Sequence, residues 1–334
     1  MNGLRWITTA LMVPIVFILL AAGAVRSQQP DRKAIRIASA RGVNFVALWG
    51  MEPFAERHGL RIEMVAAMTN ADQQRALQIG GAEVATQGYQ NPAIMAEQNV
   101  ANVKVIAGLY LGGQNLIMRK GVELSGWKDL EGKKIGRAPG TFAQILFILA
   151  AEANNVDVSK INLVNVTAAG TAELQALRNG DLDGLVMFSP TTDRGVVEGY
   201  AYYPPCCDIS STERFGGRNQ LLAANTEFLK DRQTAVRLLK AYVEAENYYA
   251  ENREKAIDVA VQFTGVGRNV VVEALKHATL EHRVDVKTAI AIAKEGPKFG
   301  FTKSDMSDKV ASYFDLSYLS EATGKPIDEL SLPK

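Results

Sequence analysis

Residues 133–153, KKIGRAPGTFAQILFILAAEA, join a short strand to a long apolar helix through a Pro-Gly-Thr turn. Ile135 lies in the strand, Pro139 and Gly140 end it, and Thr141 stands where a helix N-cap belongs, ahead of Phe142, Ile145, Leu146, Ile148 and Leu149. A helix start carries free N–H donors and a partial positive charge, so this junction can seat an anionic or strongly polar group. It is also the ordinary joint of an α/β chain, and its meaning depends on what surrounds it.

Residues 75–84, RALQIGGAEV, are echoed by residues 175–184, QALRNGDLDG. In each a helix ends at glycine, an acidic residue follows and an apolar strand begins, through Val84 in one and Leu185 in the other. Both strands stop at a polar turn with a proline, Tyr89-Gln90-Asn91-Pro92 and Ser189-Pro190-Thr191-Thr192, which opens a further helix. The echo predicts two lobes built on one plan. Between the repeats, strands over 103–110 and 115–119 are separated by Gly112-Gly113-Gln114, a spot suited to a hinge. Upstream, 34–39 reads as a strand ending at Ser39-Ala40-Arg41-Gly42. A helix then runs from about Asn44, breaks at Pro53 and stops at Gly59, and a strand over 60–65 alternates Leu60, Ile62 and Met64. After Asn225 the pattern is mostly helical.

Composition sets the outer bounds. The chain has 334 residues, 47% hydrophobic and 22% charged, with Lys+Arg 37 against Asp+Glu 36. That is ample material for a globular protein of two domains. Basic residues are nowhere interleaved with aromatics, so nucleic acid is not an expected partner. Arg5 is the single charge before an apolar run from Trp6 to Ala22, and Ala22-Gly23-Ala24 offers small residues for cleavage. Residues 1–24 therefore read as a secretory signal peptide, the alternative being a retained anchor.

The catalytic inventory is thin. G-x-S-x-G, H-E-x-x-H, a P-loop and paired CxxC motifs are all missing. Gly265-Val266-Gly267 follows a helix and lacks the third glycine of a dinucleotide fingerprint, and Asp181-Leu182-Asp183-Gly184 has the glycine offset wrong for a calcium loop. Cys206 and Cys207 are neighbours, open to a vicinal disulfide, an intermolecular pair or two thiols. His58 stands alone, and His277 and His282, five apart, fall on different faces of a helix and read as solvated residues. Neither a metal site nor a cofactor is expected.

In order and spacing the chain resembles the periplasmic solute-binding proteins of ABC importers, in the group that includes sulfonate, taurine and nitrate binders and the thiamine-pyrimidine binders. The residues that carry the resemblance are the signal peptide, IRIASARGVNFVALW, GLRIEM, the pair IGGAEVATQGY and NGDLDGLVMFSP, and WKDLEGKKIGRAPGTFAQ. It implies a type II-like, two-lobed α/β fold whose ligand cleft lies between lobes joined by two hinge crossings. Lobe 1 is expected over 35–112 with 222–334 and lobe 2 over 116–210. Carried over residue by residue, it implicates Ser39, Arg41, Asn44, Tyr89, Asn91, Gln114, Thr141, Phe142, Ser189 and Thr191 in ligand binding. It further implies a periplasmic monomer without turnover that captures a small polar or anionic organic solute and docks on a membrane permease. The alternatives are a pyrimidine-synthase-like enzyme of the same fold, which Cys206-Cys207 brings to mind, and the ligand-binding module of a membrane sensor.

Overall fold

The computed structural model describes residues 33–167, 170–209 and 217–332, so the signal-peptide reading of 1–24 lies outside the described residues. The strands are, in chain order, β1 (Lys33–Ser39), β2 (Leu60–Ala66), β3 (Val84–Gly88), β4 (Val103–Gly112), β5 (Gln114–Arg119), β6 (Lys134–Arg137), β7 (Asn162–Asn165), β8 (Gly184–Phe188), β9 (Ala201–Tyr202), β10 (Arg218–Asn225) and β11 (Ala278–Leu280). They form two sheets, one in the order β11-β4-β10-β3-β1-β2 and the other β7-β6-β8-β5-β9. Sheet membership changes at Gly113, between β4 and β5, and again between β9 and β10. The returning strand thus opens at Arg218, ahead of the expected 222. This is the two-lobed α/β architecture, with one sheet in each lobe.

The helices that matter below are α1 (Val46–Trp49), α2 (Glu52–Arg57), α3 (Asn70–Gln78), α4 (Asn91–Glu97), α5 (Phe142–Ala153), α6 (Thr171–Asn179), α7 (Thr191–Val197), α8 (Thr226–Leu229), α9 (Arg232–Glu251), α10 (Arg253–Thr264), α11 (Arg268–Ala274) and α12 (Val286–Lys294). Parallel neighbours need crossovers: α1 and α2 return the chain from β1 to β2, and α3 returns it from β2 to β3. Pro53 opens α2 instead of breaking a helix, because its missing N–H falls in the first turn, where no intrahelical acceptor exists. The first lobe's sheet is buried on both faces, Ile35, Ile37, Leu48, Leu60 and Tyr242 forming one apolar cluster and Ala38, Leu77, Ala85 and Met95 another.

The echoed segments occupy equivalent places. α3, β3 and α4 in one lobe match α6, β8 and α7 in the other, and each strand lies parallel to one neighbour and antiparallel to the strand that a crossing delivers. The glycines are required, since Gly80 (φ 70°) and Gly180 (φ 87°) take the left-handed backbone that ends the helix. The acids fix register: a Glu83 carboxylate oxygen accepts the Arg36 backbone N–H at 2.8 Å, and an Asp183 oxygen accepts that of Lys134 at 2.9 Å. In both lobes the acid thus pins the first residues of its strand to the parallel strand beside it. The histidine reading needs correction. His277 lies in the turn after α11, and His282 lies beyond β11, 9% exposed and bonded to Glu246. No helix of the described residues is long and apolar enough to cross a membrane.

Candidate functional site

The C-terminal ends of β1, β3, β6 and β8 converge where the lobes face each other, as the strand-end loops of open α/β sheets do at ligand sites. Between them lies a cleft of about 250 Å³. Ala40, Phe45, Gln73, Gln90, Tyr110 and Asn219 line it from one lobe, Gly140, Thr141, Phe142, Ala143 and Phe188 from the other, and Gln114 from the crossing. Met68, Thr69, Asn70 and Gln220 complete the wall. Among these described residues there is no Arg, Lys, His, Asp or Glu.

The wall's chemistry is aromatic and amide. Phe45 and Tyr110 meet edge to face with centroids 5.3 Å apart, which fixes two of the rings. Burial pushes the Tyr110 hydroxyl well above its ordinary value, a hydrogen bond with Asn44 working weakly against it. Four glutamines, Gln73, Gln90, Gln114 and Gln220, each present a buried Oε1 without a protein partner. A buried amide oxygen left unpaired costs about 1–3 kcal/mol, so each of these atoms calls for a hydrogen-bond donor.

At the α5 start the seat is partly occupied. The Gly140 N–H donates to Gln144 Oε1 at 2.7 Å, and the Thr141 hydroxyl donates to Ala138 O at 2.8 Å while accepting the Gln144 N–H at 3.4 Å. The first-turn N–H groups of Phe142 and Ala143 remain, having no helical carbonyl before them.

Of the residues singled out in the sequence, Gln114, Thr141 and Phe142 line the cleft and the others do not. Ser39 is fully buried and its hydroxyl turns to Ala40 O at 3.0 Å, leaving Ala40 as the lining residue. Arg41 is exposed, with its guanidinium 5.5 Å from the Trp49 ring. Asn44 lies just behind the wall, against Gly113 at the crossing. Tyr89 points into its own lobe, where its hydroxyl accepts the Asp285 N–H at 3.2 Å, and Asn91 turns inward to Gln87. Ser189 is buried, and Thr191 packs on Gly170. Gln90, between Tyr89 and Asn91, and Phe188, beside Ser189, are the members of these two turns that line the cleft. Tyr110, Asn219 and Gln220 carried no local signal, since only the pairing of β10 with β4 brings them together. Cys206 and Cys207 are joined as a vicinal disulfide away from this cleft.

The family model described as NMT1/THI5 like matches residues 54–256, more than half of the chain. A Brucella abortus (strain 2308) protein named as a binding protein is 24% identical over 311 residues, covering 91% of this chain and 92% of its own. A Brachyspira hyodysenteriae protein named as an ABC transporter periplasmic binding protein is 22% identical over 96% of this chain and 98% of its own. The fold is that of the periplasmic aliphatic sulphonate binding protein SsuA from Escherichia coli (TM-score 0.70, 16% identity, 83% of this chain and 91% of that one). It is equally that of the nitrate-binding protein NrtA from Synechocystis (TM-score 0.71, 13% identity, 90% and 91%). The desulfurization enzyme DSZB shares it too (TM-score 0.64, 15% identity, 88% and 99%).

Proposed function

Because this chain belongs to the NMT1/THI5-like family, we propose that it is an extracytoplasmic solute-binding protein that captures a small organic solute between its lobes and delivers it to the permease of an ABC importer. The observation that carries the choice of solute is the cleft wall, in which amides, hydroxyls and aromatic rings stand among small apolar residues and Met68, and no described lining residue carries a formal charge. The amide side chains of Gln73, Gln90, Gln114 and Asn219 on the wall favour a ligand rich in hydrogen-bonding groups, and Phe45, Tyr110, Phe142 and Phe188 favour a flat one. A pyrimidine-like ring with amino or hydroxyl substituents meets both demands. The Phe142 and Ala143 N–H groups at the α5 start support a second reading, a sulfonate or carboxylate held by backbone donors.

The chain acts as a monomer whose lobes, 35–112 with 218–332 and 116–209, bend at the two crossings. A thermal-shift panel of aminopyrimidines, alkanesulfonates and small carboxylates tests the reading, since a ligand at a hundred times its dissociation constant adds about 2.7 kcal/mol of stability. Stabilisation by substituted pyrimidines alone is expected. Stabilisation by sulfonates alone selects the second reading, and product formed from any bound compound selects the enzyme of the same fold.

A further inference from the structure

His277, in the first lobe between α11 and β11, touches both crossings. Its backbone oxygen accepts the Gly113 N–H at 2.7 Å, and its ring lies against that of Tyr203, with centroids 4.3 Å apart and planes tilted by 46°. Gly113 belongs to the first crossing, from β4 to β5, and Tyr203 opens the second, just past β9. The crossings are also tied to each other: the Gly112 N–H donates to Gly217 O at 2.6 Å, and the Asn219 side-chain N–H donates to Gly112 O at 2.8 Å.

From each crossing a hydrogen bond runs on into the second lobe. Gly113 O accepts the Ser189 N–H at 2.8 Å, and the Tyr203 hydroxyl donates to Asp193 Oδ1, on α7, at 2.7 Å. Burial, helped by the Asp193 charge, pushes the Tyr203 hydroxyl well above its ordinary value, so the phenol keeps its proton and donates. Asp193 is fully buried, and a carboxylate in that position needs such a donor. Ser189 and Asp193 are four residues apart, so two routes that start on one residue of the first lobe end about one turn from each other in the second. The helices on either side, α11 and α7, pack on each other. We propose that the contact of His277 with Tyr203 and Asp193 is a clasp across the hinge, holding the lobes at the spacing in which the cleft has both its walls.

The two routes differ in what a rotation of the lobes does to them. The backbone route passes through Gly113, whose φ of 76° needs no Cβ to be accommodated, so it bends with the chain. The side-chain route is a ring contact followed by a directional hydrogen bond, and both are lost once α11 and α7 draw apart. Glu273, ion-paired with Lys276 at 2.6 Å, stands 3.4 Å from His277 Nε2 and steadies the ring from its own helix. Neither His277 nor Tyr203 lines the ligand cleft, so the clasp acts on binding through population alone. If the two walls face each other in a fraction of the empty molecules, the apparent Kd is the intrinsic value divided by that fraction. The clasp rests on the reading above that the lobes bend at the crossings.

The test needs no ligand: the radius of gyration of the full mature chain is read by small-angle scattering for the wild type and a set of variants. His277→Ala should enlarge it, and His277→Phe, which keeps a flat ring against Tyr203, should restore the wild-type value. Tyr203→Phe, which loses only the bond to Asp193, should enlarge it by less than His277→Ala, and Lys230→Gln, in an exposed surface pair, should leave it unchanged. Leu149→Lys, which places a charge in the apolar cluster shared by the lobes, reports bending independently of the clasp. Enlargement by Leu149→Lys with none by His277→Ala or Tyr203→Phe overturns the clasp alone, and enlargement by no variant overturns the bending with it. A smaller radius in His277→Ala also overturns the proposal, since the contact would then hold the lobes apart, as does a His277→Phe protein as large as His277→Ala. Should His277→Ala fail to fold, Tyr203→Phe decides by the same measurement.

Discussion

Gln114 and Thr141 both line the cleft, but their hydrogen bonds separate their roles. Gln114 is 3% exposed with Oε1 unpaired, whereas the Thr141 hydroxyl is spent on Ala138 and Gln144. Gln114→Ala should therefore weaken ligand binding by about 1–1.5 kcal/mol, roughly a tenfold rise in Kd by calorimetry. Thr141→Ala should instead lower stability by about 1 kcal/mol, as loss of an N-cap does, with a smaller change in Kd. Glu83 offers a test by pH. Burial alone would raise its carboxyl, but the Arg36 side-chain and backbone hydrogen bonds outweigh burial and hold it below its ordinary 4.5. A depressed folded value means that the pair stabilises above the unfolded pKa and that this is lost as pH falls through the folded one. Glu83→Gln should cost about 1 kcal/mol at pH 7, discounted because Arg36 is more than a third exposed. In chemical denaturation the gap between variant and wild type should close between about pH 5 and pH 3.

The crossing from β4 to β5 is set by two glycines for different reasons. Gly112 has φ 77° and a Cβ there would lie 2.2 Å from His277 O, a backbone atom; Gly113 has φ 76° and its nearest neighbours would be side-chain atoms, first the Asn44 nitrogen, also at 2.2 Å. Alanine should be the worse choice at Gly112, where the strained φ of about 1–3 kcal/mol is joined by a clash that no rotamer relieves. Gly113→Ala adds a side-chain shift to the φ cost and disturbs Asn44 beside Tyr110. Thermal denaturation should rank the Tm values wild type above Gly113→Ala above Gly112→Ala, and the reverse order of the two variants would place the rigid contact elsewhere. The repeat elements were readable because helix ends, turn prolines and strand alternation are local. The second proline, Pro190, falls at the N-cap of α7, one place before the first helical residue, since α7 begins at Thr191. A boundary of one residue is set by backbone dihedrals that composition does not fix.

Across the molecule, α5 belongs by sequence to the second lobe, yet Phe142, Ile145, Leu146 and Leu149 join the apolar cluster that holds Leu77, Ala85, Met95 and Ile292 of the first. Lys298 adds an ion pair to Glu152 on the same helix at 2.6 Å. Opening the cleft must uncover part of this apolar face, so the lobes should separate by a limited hinge motion, and ligand should favour the closed form by touching both walls. Small-angle scattering should show a smaller radius of gyration with saturating ligand, and Leu149→Lys should enlarge the ligand-free value; no change in either would refute the shared interface. Local pattern was enough for the strand-turn-helix at 133–153, the paired units ending at Gly80 and Gly180, the crossing at Gly112-Gly113, and thereby the two-lobed class. Side-chain direction at strand ends, the meeting of Tyr110 with Gln220, and the burial of His282 on Glu246 were decided only by tertiary structure. Each depends on which of two faces a residue turns to, or on segments far apart in the chain being packed together, and neither leaves a mark in local periodicity.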